Sequence, residues 1–260
     1  MKVLLLLLGN RMVATLFRRQ TGLDESDDEL VIVPVVEHCD RDGAGLLAVL
    51  PRPDGVADVY AAILISGSSC MVTDCAPWSE QLAGWLREVV ALDRTPVLGV
   101  CYGHQLLAHA LGGKVRFNPA GRGLGTVAVA VDEHAVADDA VFSVFAQRPE
   151  VFMYASHVQH VCRLPFNAVR LARSAIDDNY AFRAGKWTYG TQFHPEFTSE
   201  LVQNIITMRE SALALEGRGD AVESLARVRH SPHGSELLRR FVDVARQKWH
   251  AEHGPVRSRL

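Results

Sequence analysis

The stretch Pro96-Val97-Leu98-Gly99-Val100-Cys101-Tyr102-Gly103-His104-Gln105 determines how the rest of this sequence is interpreted. Val97–Val100 has the length and apolar character of a buried strand, and a helical pattern begins directly after Cys101. Gly-x-Cys-x-Gly at such a junction has the form of a nucleophile elbow with sulfur in place of the serine oxygen. We therefore predict that Cys101 occupies a strained turn, where the flanking glycines leave room for neighbouring backbone.

The helix after Cys101 directs its N-terminal amides at the sulfur, which favours the thiolate and provides hydrogen-bond donors for an oxyanion. The other four cysteines are expected to be structural, although Cys70, just after the turn at Gly67, is harder to dismiss than Cys39, Cys75 and Cys162. An odd set of cysteines without repeated spacing predicts neither a disulfide framework nor a zinc pattern, and it favours a reduced, cytoplasmic setting.

Strands and helices alternate on both sides of the elbow. Apolar strands are predicted at Val3–Leu8, Leu30–Val36 and Ala61–Ile65, and a helix from Pro77 to about Leu92. This order implies parallel pairing with helices on both faces of the sheet. The predicted fold class is α/β, three-layered, with a mostly parallel central sheet flanked by helices and followed by C-terminal helices.

Further strands are predicted in the second half of the chain, with a hairpin turn at Gly185-Lys186: Thr126–Val131, Val151–Tyr154, Ala168–Ala172, Ala181–Arg183 and Trp187–Phe193. From Ser199 onward the pattern is helical, with breaks near Gly217–Gly219 and at Ser231–Gly234. We expect one catalytic domain, residues 1–200, and a helical extension, residues 201–260. The apolar stripe of the last helix predicts packing on the parent domain, with a partner helix as the alternative.

Composition excludes several classes of function. A formal net charge of -3 with interspersed signs argues against a nucleic-acid surface, which needs clustered lysine and arginine. Val3–Leu8 is too short to span a bilayer, and no small-residue cleavage site follows it. No nucleic-acid or membrane partner is expected.

His194 is distinguished from the other ten histidines by its position at the end of a predicted strand, followed by Pro195-Glu196. Side chains two residues apart on extended backbone point to the same face, so Glu196 can reach the far ring nitrogen of His194. A cysteine nucleophile needs a base, and the base needs an orienting group. Cys101, His194 and Glu196 are therefore predicted to form a catalytic triad.

Other polar patterns are weaker. His157 and His160 are spaced wrongly for a shared metal, and His104 and His109 lie five apart on a helix rather than four. The glycine run 121–125 precedes a strand rather than a helix, and Gly113-Lys114 lacks the Ser or Thr of a P-loop. We predict no metal and no cofactor.

The elbow stretch resembles the nucleophile motif of class I glutamine amidotransferases, and Gly190-Thr191-Gln192-Phe193-His194-Pro195-Glu196-Phe197 resembles their His-x-Glu motif. Ile65-Ser66-Gly67-Ser68 falls where the family places its oxyanion strand. Ser156-His157 resembles a segment of the GMP synthetase glutaminase domain and of stand-alone γ-glutamyl peptidases. The resemblance covers about residues 60 to 200, in the family's order.

The resemblance implies a role for each matching position. Cys101 would form a γ-glutamyl thioester, and His194, held by Glu196, would move the protons. Gly67 and Tyr102 would supply the oxyanion-hole amides. Gln105, Ser156 and His157 would bind a small-molecule γ-glutamyl substrate.

Two departures from the family keep alternatives open. Gln159 stands where relatives carry an aspartate, and Ser-Gly-Ser replaces the common Gly-Gly-Pro. The expected activity is hydrolysis of glutamine or a related γ-glutamyl amide, with ammonia released or passed to a separate synthetase subunit. The alternatives are a γ-glutamyl peptidase and a regulatory or binding subunit of a synthetase.

Overall fold

A nine-stranded sheet forms the centre of the protein in a computed structural model, which describes residues 1–38, 44–148, 150–215 and 225–254. The strands are β1 Lys2–Leu7, β2 Glu29–Pro34, β3 Ala62–Ile65, β4 Val97–Val100, β5 Lys114–Phe117, β6 Gly123–Val131, β7 Val151–His157, β8 Gln159–Arg163, β9 Val169–Arg173, β10 Ala181–Ala184 and β11 Thr188–Thr191. The helices are α1 Met12–Thr21, α2 Ala44–Val49, α3 Val56–Val59, α4 Pro77–Leu92, α5 Tyr102–Ala110, α6 Glu133–Val136, α7 Ser199–Met208, α8 Glu210–Leu215 and α9 His233–His253.

The sheet has the strand order β2-β1-β3-β4-β11-β10-β9-β6-β7. The first five strands pair in parallel, and every pair from β11 to β7 is antiparallel. β5 and β8 form a separate two-stranded antiparallel sheet. The carboxyl ends of β3, β4 and β11 therefore meet at one edge of the parallel half, where such sheets place their binding sites.

Apolar side chains cover both faces of the sheet. On one face, Phe17 of α1 and Phe241 of α9 pack with the sheet residue Tyr189, whose ring meets Phe241 edge to face. On the other face, Leu86 of α4 and Leu106 of α5 lie in a second core. The predicted three-layer fold, with a mostly parallel sheet and flanking helices, is confirmed.

α9 is fully integrated into the first core. Its predicted apolar stripe is buried, and the helix packs against α1 and β7. At its start, a Cβ on Gly234 would lie 2.4 Å from the carbonyl oxygen of Pro195, so the helix rests directly on the His194–Glu196 turn. The domain boundary at residue 200 stays a prediction, and the predicted break at Gly217–Gly219 lies outside the described residues.

Among the described residues, no helix combines the length and apolar character needed to cross a bilayer.

Candidate active site

Cys101 connects β4 to α5 in a backbone conformation that non-glycine residues rarely adopt. Its φ is +52° and its ψ is −99°, and its amide is fixed by a 2.8 Å hydrogen bond to the carbonyl of Thr191 in β11. A Cβ on Gly99 would lie 2.5 Å from the oxygen of Gly103, and a Cβ on Gly103 would lie 2.7 Å from the oxygen of Ile65. The predicted strained turn and its requirement for both glycines are confirmed.

His194 follows β11 and is held from several sides. Its amide donates to the carbonyl of Tyr154 in β7 at 2.8 Å, and its Nδ1 lies 2.8 Å from Oε1 of Glu196. The ring of Phe197 stacks on the imidazole with a centroid distance of 3.8 Å and an interplanar angle of 11°. Glu196 is fully buried, so the ring has a fixed plane, with Nε2 left for another partner.

Gly67, just after β3, shows how closely Cys101 and His194 approach each other. A Cβ at this glycine would lie 2.9 Å from Cε1 of His194 and 3.4 Å from Cβ of Cys101. The two side chains therefore share one small space, which a side chain at position 67 would fill.

The charge state of His194 follows from its neighbours. Burial alone lowers the pKa of the ring, but the charges of Glu196 and of the Cys101 sulfur, with hydrogen bonds to both, outweigh it and raise the pKa to about 10. At neutral pH the imidazole is consequently protonated and pairs with the carboxylate of Glu196.

Two backbone amides at this site have no hydrogen-bond acceptor among the described residues. Within the described ranges, neither the amide of Gly67 nor that of Tyr102 donates a hydrogen bond to the protein. Tyr102 is the first residue of α5, where helix amides are unsatisfied, and Gly67 lies beside Cys101. Both are therefore available to an oxyanion.

A cleft opens at the sulfur. Its walls come from the loop after β3, the start of α5, the start of β6, the turn between β7 and β8, and the end of α7. The lining residues include Ser68, Cys70, Cys101, Tyr102, Gln105, Arg122, Ser156, His157, Gln159 and Arg209.

The three predicted substrate-binding residues have different surroundings. Gln105 is buried and donates its two amide hydrogens to the carbonyl of Gln159 and to Oε1 of Gln192, each at 2.9 Å. Ser156 lies with its carbonyl 3.9 Å from the Cys101 sulfur.

His157 faces the interior. Its Nδ1 lies 3.0 Å from the carbonyl of Gln159, its Nε2 would be 2.3 Å from a Cβ on Gly123, and burial lowers its pKa to about 4. Its ring is therefore neutral at pH 7. The binding roles of Gln105, Ser156 and His157 stay predictions.

Two arginines that line the cleft were not predicted from the sequence. Arg209, at the end of α7, donates from a guanidinium nitrogen to Oγ of Ser156 at 3.0 Å, and Arg122 lines the same cleft. Neither belongs to a recognisable local pattern. The signal in the sequence was limited to the position of Arg122 within the glycine run 121–125.

The remaining cysteines differ in exposure. Cys70 is exposed and lines the cleft, Cys75 is exposed, and Cys162 is half-buried. All three are free thiols, and Cys39 lies outside the described residues. Across the described part of the chain, no group of three or more His, Cys, Asp or Glu side chains is placed to hold a metal ion.

Solved structures share this fold. A glutamine amidotransferase from Thermotoga maritima superposes with a TM-score of 0.70 and 19% identity, covering 94% of this chain and 97% of that one. A glutamine amido transferase from Methylobacillus flagellatus gives 0.63 and 22%, covering 96% and 91%.

Sequence relatives carry the name GMP synthase [glutamine-hydrolyzing]. The protein from Thermomicrobium roseum is 39% identical over 55% of this chain, but the match spans only 25% of that protein. Two shorter relatives are each named as one subunit of this enzyme. The one from Methanosarcina acetivorans is 32% identical over 62% of this chain and 77% of its own length, and the one from Methanosarcina barkeri is 37% identical over 62% and 82%.

The family model described as glutamine amidotransferase class-I matches residues 49–209, well over half of the chain. The match includes Cys101, His194 and Glu196. The chain belongs to the glutamine amidotransferase class-I family.

Proposed function

We propose that this protein hydrolyses the γ-amide of glutamine through a triad of Cys101, His194 and Glu196. The observation that carries the proposal is the shared space between the sulfur at the strained turn and the imidazole held by Glu196. A protonated His194 beside the sulfur supports a resting thiolate–imidazolium pair, which is the reactive form of a cysteine nucleophile.

In the first half of the reaction, the Cys101 thiolate attacks the amide carbon and forms a carbon–sulfur bond. The carbonyl electrons move to oxygen, and the amides of Gly67 and Tyr102 stabilise this oxyanion. The Nε2 proton of His194 passes to the amide nitrogen, the carbon–nitrogen bond breaks, and ammonia leaves. The product is a γ-glutamyl thioester and a neutral imidazole.

In the second half, the neutral ring of His194 takes a proton from water, and the hydroxide attacks the thioester carbon. The carbon–sulfur bond breaks and releases glutamate. The thiolate and the imidazolium are thereby restored, and Glu196 stabilises the charged ring at both ends of the cycle.

We infer that the arginines of the cleft bind the substrate's α-carboxylate. Arg209 contacts Ser156, whose carbonyl touches the sulfur, so its guanidinium is held near the reacting atom. The α-carboxylate of glutamine lies four bonds from the amide carbon, and a guanidinium suits it as a charged donor. Gln105 has committed its amide hydrogens, which leaves its carbonyl oxygen for the substrate's ammonium.

The fate of the ammonia is the second part of the proposal. The relatives from two Methanosarcina species are each named as one subunit of GMP synthase, which supports an ammonia acceptor on a separate synthetase subunit. Co-purification from cell extract tests this, and glutaminase activity that no co-purifying protein changes would favour water as the sole acceptor.

One sequence feature favours a second substrate class. Ser66-Gly67-Ser68 stands where Gly-Gly-Pro is common in biosynthetic amidotransferases. This variant resembles the stand-alone γ-glutamyl peptidases, so γ-glutamyl peptides are the competing substrates. Comparing kcat/KM for glutamine and for γ-glutamyl dipeptides separates the two activities.

The central experiment combines an activity and a labelling measurement. We expect ammonia release from glutamine by the native chain and its loss in Cys101→Ala, with Cys70→Ala as the matched control in the same cleft. A glutamine-mimicking diazoketone should add to Cys101 by mass spectrometry. No adduct on Cys101 and no hydrolysis of any γ-glutamyl compound would refute the triad.

A further inference from the structure

Ser66 connects β3 to the proposed oxyanion amide and is fully buried. Its own amide donates to the carbonyl of Leu6 at 3.1 Å, which extends the β1–β3 pairing by one residue. The chain leaves the sheet immediately after it, at Gly67. Ser66 is therefore the last residue of this segment that the sheet holds in place.

The side chain of Ser66 makes two hydrogen bonds. Its Oγ accepts from the amide of Leu8 at 2.9 Å and donates to the carbonyl of Gly67 at 3.0 Å. The first bond ties the hydroxyl to the residue after β1, and the second restrains the peptide that follows Gly67. The Gly67 amide thus lies between two fixed points, the backbone of Ser66 and the carbonyl of Gly67.

A second contact holds the same carbonyl. A Cβ on Gly9 would lie 3.0 Å from the oxygen of Gly67, so the loop after β1 packs against it with little free space. On its other side, Gly67 packs against His194 and Cys101. Rotation of the Gly67 peptides would therefore meet backbone on one side and the two reactive side chains on the other.

We propose that Ser66 is a positioning residue that keeps the Gly67 amide directed at the oxyanion formed on the Cys101 thioester pathway. This inference rests on the proposed hydrolysis, because it concerns the oxyanion hole of that same reaction. An oxyanion donor acts only when it is aligned with the developing charge, so its loss lowers kcat more than substrate affinity. Ser66 touches neither substrate nor sulfur and acts through Gly67.

The test is the Ser66→Ala variant, whose hydrolysis of glutamine is measured well below the melting temperature of the variant protein. We expect kcat to fall at least about tenfold, and KM to change less than about twofold, since removal of one oxyanion donor costs roughly 10²–10³ in kcat. Alkylation of Cys101 by iodoacetamide forms no oxyanion, so its rate should stay within about twofold of the native rate. A general structural defect would lower both rates together.

Two further variants keep the test decisive. Gly9→Ala leaves Ser66 intact but presses on the Gly67 carbonyl, and it should give the same fall in kcat even if Ser66→Ala fails to fold. Thr21→Val removes another buried hydroxyl, in α1, whose bond runs to the carbonyl of Phe17 and which lies away from the cleft. It should lower the melting temperature while kcat stays unchanged.

The outcomes distinguish the inference from the function on which it depends. Absence of Cys101-dependent hydrolysis in the native chain would overturn the proposed function. Cys101-dependent hydrolysis with kcat unchanged in both Ser66→Ala and Gly9→Ala would overturn the positioning role alone. A parallel fall in the iodoacetamide rate would also overturn it, because the effect of the substitution would then not be confined to the step that forms the oxyanion.

Discussion

Nδ1 of His194 lies 2.8 Å from Oε1 of Glu196, and both side chains are buried. The carboxylate is a major cause of the raised pKa of His194, because its charge favours the imidazolium. The pair therefore sets both the orientation and the protonation state of the proposed base.

Replacing this carboxylate by its neutral isostere should separate the effect of its charge on His194 from the effect of its shape. In Glu196→Gln we expect the pKa of His194 to fall from about 10 towards its ordinary value, and kcat for glutamine to fall about 10²-fold or more. NMR titration of the imidazole and steady-state kinetics measure the two effects. Glu200→Gln, an exposed carboxylate at the start of α7, is the control and should change neither.

The elbow glycines offer a test of backbone geometry. Gly99→Ala would place a methyl group 2.5 Å from the oxygen of Gly103, so we expect it to destabilise the fold by roughly 1–3 kcal/mol and to lower activity. Gly84→Ala in α4 meets nothing within 4 Å and should stabilise by roughly 0.5–1 kcal/mol. Urea unfolding compares the variants, and equal stabilities would contradict the packing argument.

Arg209 should act on substrate affinity. Arg209→Gln removes a charged donor, so KM for glutamine should rise about tenfold or more while kcat changes little. 4-Aminobutyramide is glutamine without its α-carboxylate, and its hydrolysis should be insensitive to the substitution. Equal losses for both compounds would assign Arg209 a structural role.

Two buried histidines should make the fold sensitive to acid. Burial lowers the pKa of His104 and of His157 to about 4, whereas both titrate near 6.5 in the unfolded chain. Their contribution to stability is therefore complete above pH 6.5 and is lost as the pH falls towards 4, by a few kcal/mol in total. His194 has the opposite sign, because its raised pKa gives a contribution that is complete below pH 6.5 and lost towards pH 10.

Urea unfolding between pH 7 and pH 5 measures the acid effect. The fall in unfolding free energy should be roughly halved in His104→Gln, since one of the two rings no longer titrates. A profile that is the same in this variant as in the native chain would show that the burial of His104 is not its cause.

The start of α9 should matter to the site. Gly234→Ala would place a methyl group 2.4 Å from the carbonyl oxygen of Pro195, so the His194–Glu196 turn must shift. We expect kcat to fall although alanine is the better helix former. Full activity in this variant would show that α9 and the turn move independently.

The sequence predicted the parts of this molecule whose local backbone requirements are strong. The elbow around Cys101 and the bounds of α4 follow from glycine placement, proline and apolar periodicity, and the structure agrees with them. His194 and Glu196 were identified together because two-residue spacing on extended backbone has a simple geometric meaning.

Other parts of the structure depend on long-range packing and could not be predicted from local sequence patterns. α1 buries only Ala14, Phe17 and Thr21, so its apolar stripe is too narrow to recognise. β8 follows β7 after a single residue, which conceals the change of sheet. Arg122 lines the same cleft as Ser156 only because of the register of β6 on β7, in which the next residue, Gly123, pairs with His157. Arg209 reaches Ser156 only through the packing of α7.

The parallel stacking of Phe197 on His194, together with the bond from Nδ1 to Glu196, prevents the imidazole from swinging between two partners. In the proposed mechanism, the departing ammonia and the incoming water must therefore occupy the same position next to Nε2 of His194, one after the other. Ammonia escape then limits the start of the second half-reaction, and stopped-flow measurements should show free ammonia and free glutamate appearing together, without a burst of either product. A protein partner that removes ammonia from the site would accelerate turnover without contacting the proposed nucleophile, Cys101.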